Sequence, residues 1–240
     1  MQEKILITES SYKESIKHTK MISIYQPYLP KKTLKFAHDA LDSSWISNLG
    51  EYKDLARDSL KHQFKTNVIL TSNGTTATHL IYKALKIVKP NLKNILVPSN
   101  VYVAAWNAML FDGDHINLIP IKTDVNTWNV DLDCLRETVL LHDPDDTAVL
   151  IVHNLGGIID VPKLQKELPN YSIIEDNCEG LFGKYGESYS GTESLASSVS
   201  FYGNKTLTCG EGGAIFFKDS NLLQQLEKTH SQGQSSVRYI

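Results

Sequence analysis

One lysine of this 240-residue chain stands where side-chain chemistry is feasible. In Ser198-Val-Ser-Phe-Tyr-Gly-Asn-Lys-Thr-Leu-Thr-Cys-Gly-Glu-Gly-Gly213 a strand-like stretch runs into a polar turn carrying Lys205, then a glycine cluster, then the apolar run Ala214–Phe217. An amine is thereby held at a strand end. Lysine becomes a nucleophile when its surroundings favour the uncharged form, or when it condenses with an aldehyde to an imine. Taken alone, Lys205 also reads as an ordinary solvated loop lysine, and only its company promotes it.

Two segments supply that company. Ile173-Ile-Glu-Asp-Asn-Cys-Glu179 is an apolar strand ending in adjacent carboxylates, at the end of an open parallel sheet's strand where functional groups gather. Asp176 is the carboxylate expected to face the site, although a strand-terminal Asp also serves as a helix N-cap. Leu70-Thr-Ser-Asn-Gly-Thr-Thr-Ala77 is a strand, a small polar turn with Gly74, and a helix start. Free backbone N–H groups and the positive end of the helix dipole favour an anion such as phosphate there, with Ser72 or Thr75 as hydroxyl donors, and the same residues also make ordinary capping chemistry. Pyridoxal 5′-phosphate (PLP) would use all three: an amine for its aldehyde, a carboxylate against its pyridinium nitrogen, and a phosphate cradle.

The elements that must position these residues alternate. Val68–Thr71 reads as a strand and Thr75–Val88 as a helix, with Ala77, Leu80, Ile81, Ala84, Leu85 and Val88 at helical spacing. Strands at Ile95–Pro98, Ile116–Ile121, Ala148–Val152 and Tyr171–Glu175 alternate with helices at Val101–Phe111 and Leu132–Leu140. The pattern predicts an α/β fold of three layers, α/β/α, around a mostly parallel sheet. Strands at Ser197–Tyr202 and Gly213–Phe217 and a helix at Asn221–His230 follow, with an antiparallel edge or hairpin expected among them. Before Lys65, apolar residues at Leu34, Ala37, Leu41, Leu55, Leu60 and Phe64 suggest two helices around the turn Ser44–Gly50. The division is residues 1–65 as an N-terminal helical segment and 66–240 as a large domain.

Composition narrows the class. A net charge of -3 gives no footprint for nucleic acid, whose binders carry clustered basic faces. Met1–Lys20 is broken by charges and lacks the apolar core of a secretory signal. Apolar runs such as Val149–Val152 fall far short of the roughly 20 residues a membrane span needs. Cys134, Cys178 and Cys209 fit neither a disulfide framework nor a zinc site, and a reducing cytoplasm is the expected compartment. His153 stands at a strand end, as a loop anchor or a substrate contact, and no metal-ligand spacing appears.

In this order the segments resemble the DegT/DnrJ/EryC1/StrS family of PLP-dependent nucleotide-sugar aminotransferases, over about Ile22 to His230. Ser72-Asn-Gly-Thr75 looks like its phosphate turn, Glu175-Asp176 like its E-D-A-A-Q stretch, and Ser200-Phe-Tyr-Gly-Asn-Lys205 with Thr208-Cys-Gly-Glu-Gly-Gly213 like its lysine signature. The resemblance implies an aspartate-aminotransferase-like large domain in which Lys205 is the Schiff-base lysine and proton shuttle and Asp176 the pyridinium partner. Gly74, Thr75 and Ser200 would hold the phosphate, Tyr102 would stack on the cofactor, and Ser43-Ser-Trp-Ile-Ser47 would lie near the sugar. Glu179 stands where the family usually carries a glutamine beside the cofactor ring, Gly191–Leu195 lacks a common G-D pair, and Cys209 replaces a threonine. Relatives continue into a small C-terminal domain that this sequence largely lacks. The implied function is transfer of an amino group, with glutamate as donor, to a nucleotide-linked keto-deoxy-sugar in polysaccharide biosynthesis, by a homodimer. The alternatives are a catalytically incompetent fragment or partner subunit, and another PLP chemistry using Cys178 or Cys209.

Overall fold

The computed structural model describes residues 23–47, 50–113, 115–218 and 220–231. Two helices lead, α1 (Lys31–Asp42) and α2 (Glu51–Phe64), and then strand and helix alternate: β1 (Asn67–Thr71), α3 (Gly74–Val88), β2 (Asn94–Pro98), α4 (Ala104–Leu110), β3 (Asn117–Ile121), α5 (Leu132–Val139) and β4 (Thr147–Val152). A single 3-10 turn at Asn154–Gly156 precedes α6 (Val161–Glu167) and β5 (Ser172–Asp176). A short hairpin of β6 (Lys184–Tyr185) and β7 (Ser188–Tyr189), then β8 (Ala196–Ser200), β9 (Gly213–Phe217) and α7 (Ser220–His230) complete the order.

Seven strands form one sheet in the order β1-β9-β8-β5-β4-β2-β3. β9 is antiparallel to both of its neighbours, so β1 and β8 run the same way and every other pairing is parallel. The antiparallel hairpin expected here is the β8–β9 pair, and β9 lies inside the sheet because β1 pairs with its other side. It is buried along its whole length, as Gly213-Ala-Ile-Phe-Phe217 requires: five residues with nothing polar to show to solvent.

Period-two alternation builds the layers, because successive strand side chains point to opposite faces. On one face Ile69, Ile95, Val97, Ala148, Leu150, Ile174, Ala196, Ile215 and Phe217 pack with Ala77, Ile81 and Leu85 of α3, Met109 of α4 and Leu226 of α7. On the other, Leu96, Ile121, Val149, Ile151 and Ile173 meet Leu135 of α5 and Leu164 of α6. Toward the β1 side that second face is covered by Leu60 and Phe64 of α2, against Val68, Val199 and Phe216. The three α/β/α layers and mostly parallel sheet agree with the sequence.

The boundaries shift where loops compete. Val101 and Tyr102 were expected inside a helix, but α4 begins at Ala104. Asn154 Nδ2 donates to Asn100 O and Trp128 O, each at 2.7 Å, and holds that stretch as a loop. α6 carries a start signal that the periodicity passed over: Asp160 Oδ1 accepts the Lys163 N–H at 3.0 Å, and Pro162 stands in the first turn. Among the described residues no helix is long and apolar enough to cross a membrane.

Candidate active site

The parallel strands open at one edge. Ser72–Gly74 follows β1, Asn100–Tyr102 follows β2, His153 follows β4, Asn177–Glu179 follows β5, and Phe201–Lys205 follows β8. β9 runs the other way, so its first residue, Gly213, sits at the same edge opposite Thr71 and Ser200. Alternation then sorts the side chains. Asp176 shares the parity of Ile174, and Ser198 and Ser200 that of Ala196, so all three face the α3 layer while Glu175 faces the opposite one.

Cys178 is the point around which the expected residues gather. Its Sγ lies 2.8 Å from where a Cβ would stand at Gly74, and Ser200 Cβ lies 3.0 Å from the same point, so any larger residue at 74 would intrude. Asp176 is buried, and its Oδ1 accepts the Cys178 N–H at 3.0 Å. No helix begins there, so Asp176 closes a turn and is not a helix cap. Burial first, then the Asp176 carboxylate, push the Cys178 thiol well above its ordinary value, while the Lys205 ammonium pulls weakly the other way. Cys178 is thus a neutral packing thiol within electrostatic reach of both charges. Burial also raises the thiol of Cys209, so neither cysteine is activated as a nucleophile.

The β1–α3 turn is built by its own polar atoms. Asn73 Oδ1 caps α3 by accepting the Thr76 N–H at 2.8 Å, Thr71 Oγ1 donates to Asn73 O at 2.9 Å, and Ser72 Oγ lies 3.2 Å from Thr76 Oγ1. Thr78 Oγ1, 2.9 Å from Ser198 Oγ, ties the helix to β8. No described residue accepts the N–H of Gly74 or Thr75, and both point out of the positive end of a 15-residue helix. Ser200 Oγ accepts the Tyr202 N–H at 3.3 Å, which leaves the hydroxyl proton to donate. Gly213 lets the strand pass close by: a Cβ there would meet Asn73 C at 2.5 Å and Asn73 O at 2.6 Å.

Lys205 hangs from a closed loop in which Phe201 O accepts from Cys209 N at 3.1 Å and Thr208 Oγ1 at 3.0 Å. Its Nζ reaches Glu179 Oε1 at 3.2 Å, with the lysine side chain 18% exposed. The other oxygen, Oε2, accepts the N–H of Leu155 at 2.8 Å. Leu155 holds a left-handed φ of 52°, followed by Gly156 at 80°. Sequence reasoning marked Glu179 and missed Leu155, because a left-handed leucine has no signature in residue type.

His153 is fully buried, and its Nε2 lies 2.7 Å from Glu175 Oε2. Nδ1 accepts the Ile159 N–H at 3.2 Å, so the ring proton sits on Nε2 and is donated to the carboxylate. Gly191 N–H donates to the same oxygen at 3.0 Å. Oε1 finds no partner among the described residues, and Glu175 is one of the residues lining a cavity of about 10 Å³, the space of one water. His153 N–H also donates to Asp176 O at 3.2 Å. Of its two sequence readings, the anchor holds: His153 stitches the end of β4 to the end of β5.

Tyr102 lies at the same edge but is 74% exposed, which removes its reading as helix core. No described contact joins its ring to Lys205. Trp45, in the Ser43–Ser47 turn after α1, is exposed as well, and its N–H donates to Ser43 Oγ at 3.2 Å.

A doubly wound, mostly parallel α/β domain with an amine, a carboxylate and an anion-ready helix start on its carboxyl edge has the architecture of the PLP-dependent transferases. The chain belongs to the DegT/DnrJ/EryC1/StrS aminotransferase family, whose model matches residues 27–239. It is 32% identical over 217 residues to GDP-perosamine synthase of Escherichia coli O157:H7, across 89% of this chain and 58% of that protein. Helicobacter pylori PseC, an aminotransferase involved in the biosynthesis of pseudoaminic acid, superposes with a TM-score of 0.79 at 24% identity, over 92% of this chain and 58% of PseC. E. coli GDP-4-keto-6-deoxy-D-mannose-3-dehydratase with bound hydrated PLP gives 0.78 at 23%, over 88% and 54%. These two structures establish the shared fold. The chain spans a little over half the length of the relatives it matches.

Proposed function

We propose that this chain binds PLP at Lys205 and carries the cofactor site of an aminotransferase that moves an amino group from an amino acid, glutamate by family resemblance, to a keto group on a nucleotide-linked deoxy-sugar. The observation that carries the reading is the convergence of Lys205, Asp176 and the Gly74–Thr75 helix start around Cys178. The residues fit the group: Gly74 is as small as the packing against Cys178 and Ser200 demands, and two N–H donors stand without acceptors among the described residues. The relative named GDP-perosamine synthase supports the sugar-nucleotide substrate, and the fold neighbour with bound PLP supports the cofactor.

PLP, when bound, supplies an aldehyde for amines and a ring that takes up the electron pair released at carbon. The chain's own residues do the rest. The N–H groups of Gly74 and Thr75 and the Ser200 hydroxyl would hold the phosphate with charge-assisted hydrogen bonds. Asp176, held by the Cys178 N–H, would supply the carboxylate that favours a protonated ring nitrogen. Tyr102 offers an exposed ring for the cofactor face. Lys205 Nζ, when free, takes the proton from the donor's α-carbon and returns it, the work of a positioned general base. Supply of amino-sugar nucleotides to polysaccharide biosynthesis, a cytoplasmic location and a homodimer complete the proposal; the free cysteines and the exposed apolar residues of α1, Leu34, Phe36 and Leu41, support the last two.

The test is an absorbance spectrum with added PLP before and after borohydride, followed by peptide mapping. A reduced adduct on Lys205 supports the site; its absence, or an unchanged band in Lys205→Ala, sinks it. A second reading, a PLP-fold fragment or partner subunit without turnover, is favoured by the share of its relatives that the chain spans. Under it the adduct forms and no amino transfer from glutamate follows.

A further inference from the structure

Glu179 makes two contacts that an amide could not make together. Oε2 receives the Leu155 N–H and Oε1 receives the Lys205 ammonium, so both partners are donors. A carboxylate presents acceptors on both oxygens; a glutamine presents one acceptor oxygen and a nitrogen that only donates. With glutamine at 179 either the Leu155 N–H or the Lys205 ammonium would face another donor. The surroundings suit this demand. Leu155 is held left-handed, which turns its N–H toward Glu179, and Lys205 is mostly withdrawn from water, which strengthens its attraction to a carboxylate.

We infer that Glu179 is a positioning residue: it is the counter-ion that parks the Lys205 ammonium whenever the lysine is not covalently engaged, and this site is built for a carboxylate. The inference rests on the cofactor reading for its role in turnover, but the pair itself exists in the cofactor-free chain. Glu179 also pins the turn after β4 to the turn after β5, so the lysine is parked against an anchored carboxylate. Asp176 and Cys178 are the other titratable groups on the β5 turn, and the thiol of Cys178 stays neutral.

The experiment is done on the full chain without PLP. The rate at which trinitrobenzenesulfonate modifies Lys205 is measured by peptide mapping and normalised to the exposed Lys65. Losing an ion pair at the upper end of the range for partly exposed pairs corresponds to about fivefold in reactivity. Glu179→Gln is expected to label Lys205 about fivefold faster than wild type, and Glu179→Asp, one methylene too short to span both donors, to fall between them. Equal normalised rates in all three chains overturn the inference. Should Glu179→Gln lose its cooperative melt, the wild-type chain decides. Raising salt from about 0.1 M to about 1 M cuts the screening length from roughly 10 Å to 3 Å. The Lys205-to-Lys65 ratio then rises if the pair holds and stays constant if it does not. A borohydride adduct on Lys205 is scored in parallel: its absence in wild type is the failure of the cofactor reading, and equal labelling is the failure of this one.

Discussion

Replacing His153 by alanine strips the Glu175 carboxylate of its imidazole donor and leaves it, almost fully buried, with the Gly191 N–H alone. Removing a hydrogen-bond donor from a buried charged group costs about 1.5–3 kcal/mol. We expect a loss at the upper end of that range, about 3 kcal/mol, because only the Gly191 N–H remains to a buried carboxylate. Glu175→Gln should be far milder. Its amide oxygen still accepts from His153 Nε2 and Gly191 N–H, its NH2 fills the side where Oε1 has no partner, and the loss is about 1 kcal/mol for exchanging a charge-assisted bond for a neutral one. In the Glu175→Gln background, His153→Ala no longer exposes a charge and should cost only about 1.5–2 kcal/mol. The cycle therefore closes with a coupling of about 1–1.5 kcal/mol, read from urea unfolding followed by circular dichroism. A coupling below about 0.5 kcal/mol, the scatter for independent sites, would show that the imidazole merely fills space. So would a Glu175→Gln chain as damaged as His153→Ala.

Other perturbations are simpler to read. Gly213→Ala drives a Cβ into the Asn73 backbone and should lower stability by about 3 kcal/mol or more, or abolish soluble expression, with PLP adduct formation lost alongside. Asn73→Ala removes the α3 cap and should lower stability by about 1 kcal/mol, a fall in Tm of about 2–4 °C, whereas Asn73→Asp keeps both. Asp176→Asn should leave folding nearly intact, because the amide oxygen still takes the Cys178 N–H, yet weaken PLP retention at least tenfold in dialysis. The raised thiol of Cys178 makes the folded chain hold its proton more tightly than the unfolded one, so the stability it contributes is present below the ordinary thiol value of 9.0 and lost as pH climbs above it. Urea stability should thus fall between about pH 8 and about pH 10, and fall less steeply in Cys178→Ala.

What could be read from the residues was what is local. The β1–α3 turn, the β5 end and the lysine loop are each a strand running into a turn within about a dozen residues, so apolar runs and glycines revealed them. The strand order was not legible, because the β1–β9 pairing joins Thr71 to Gly213 and no short-range pattern signals it. The His153–Glu175 contact stayed hidden for the same reason: it exists because β4 and β5 pair in a register that sets Ile151 beside Glu175. Tyr102 was misplaced into a helix since nothing in its own segment shows that Asn154, far along the chain, holds the loop before it. α6 had a legible start in Asp160 and Pro162, overlooked because Val161–Glu167 is too short for periodicity to register.

The inward position of β9 has a consequence for how the protein comes into being. Among the described residues β1 has no other strand beside it, and its partner is separated from it by about 140 residues of chain. During synthesis the β1–α3 unit emerges early and waits, its strand unpaired on both sides, while β2, β4, β5 and β8 can already zip together. Only the arrival of Gly213–Phe217 bridges the two parts, and with it Gly213 slides past Asn73 and sets the helix start against Ser200. Long-range closure of this kind is slow relative to local pairing. The start of α3 is accordingly among the last features to acquire its packing partners on the ribosome.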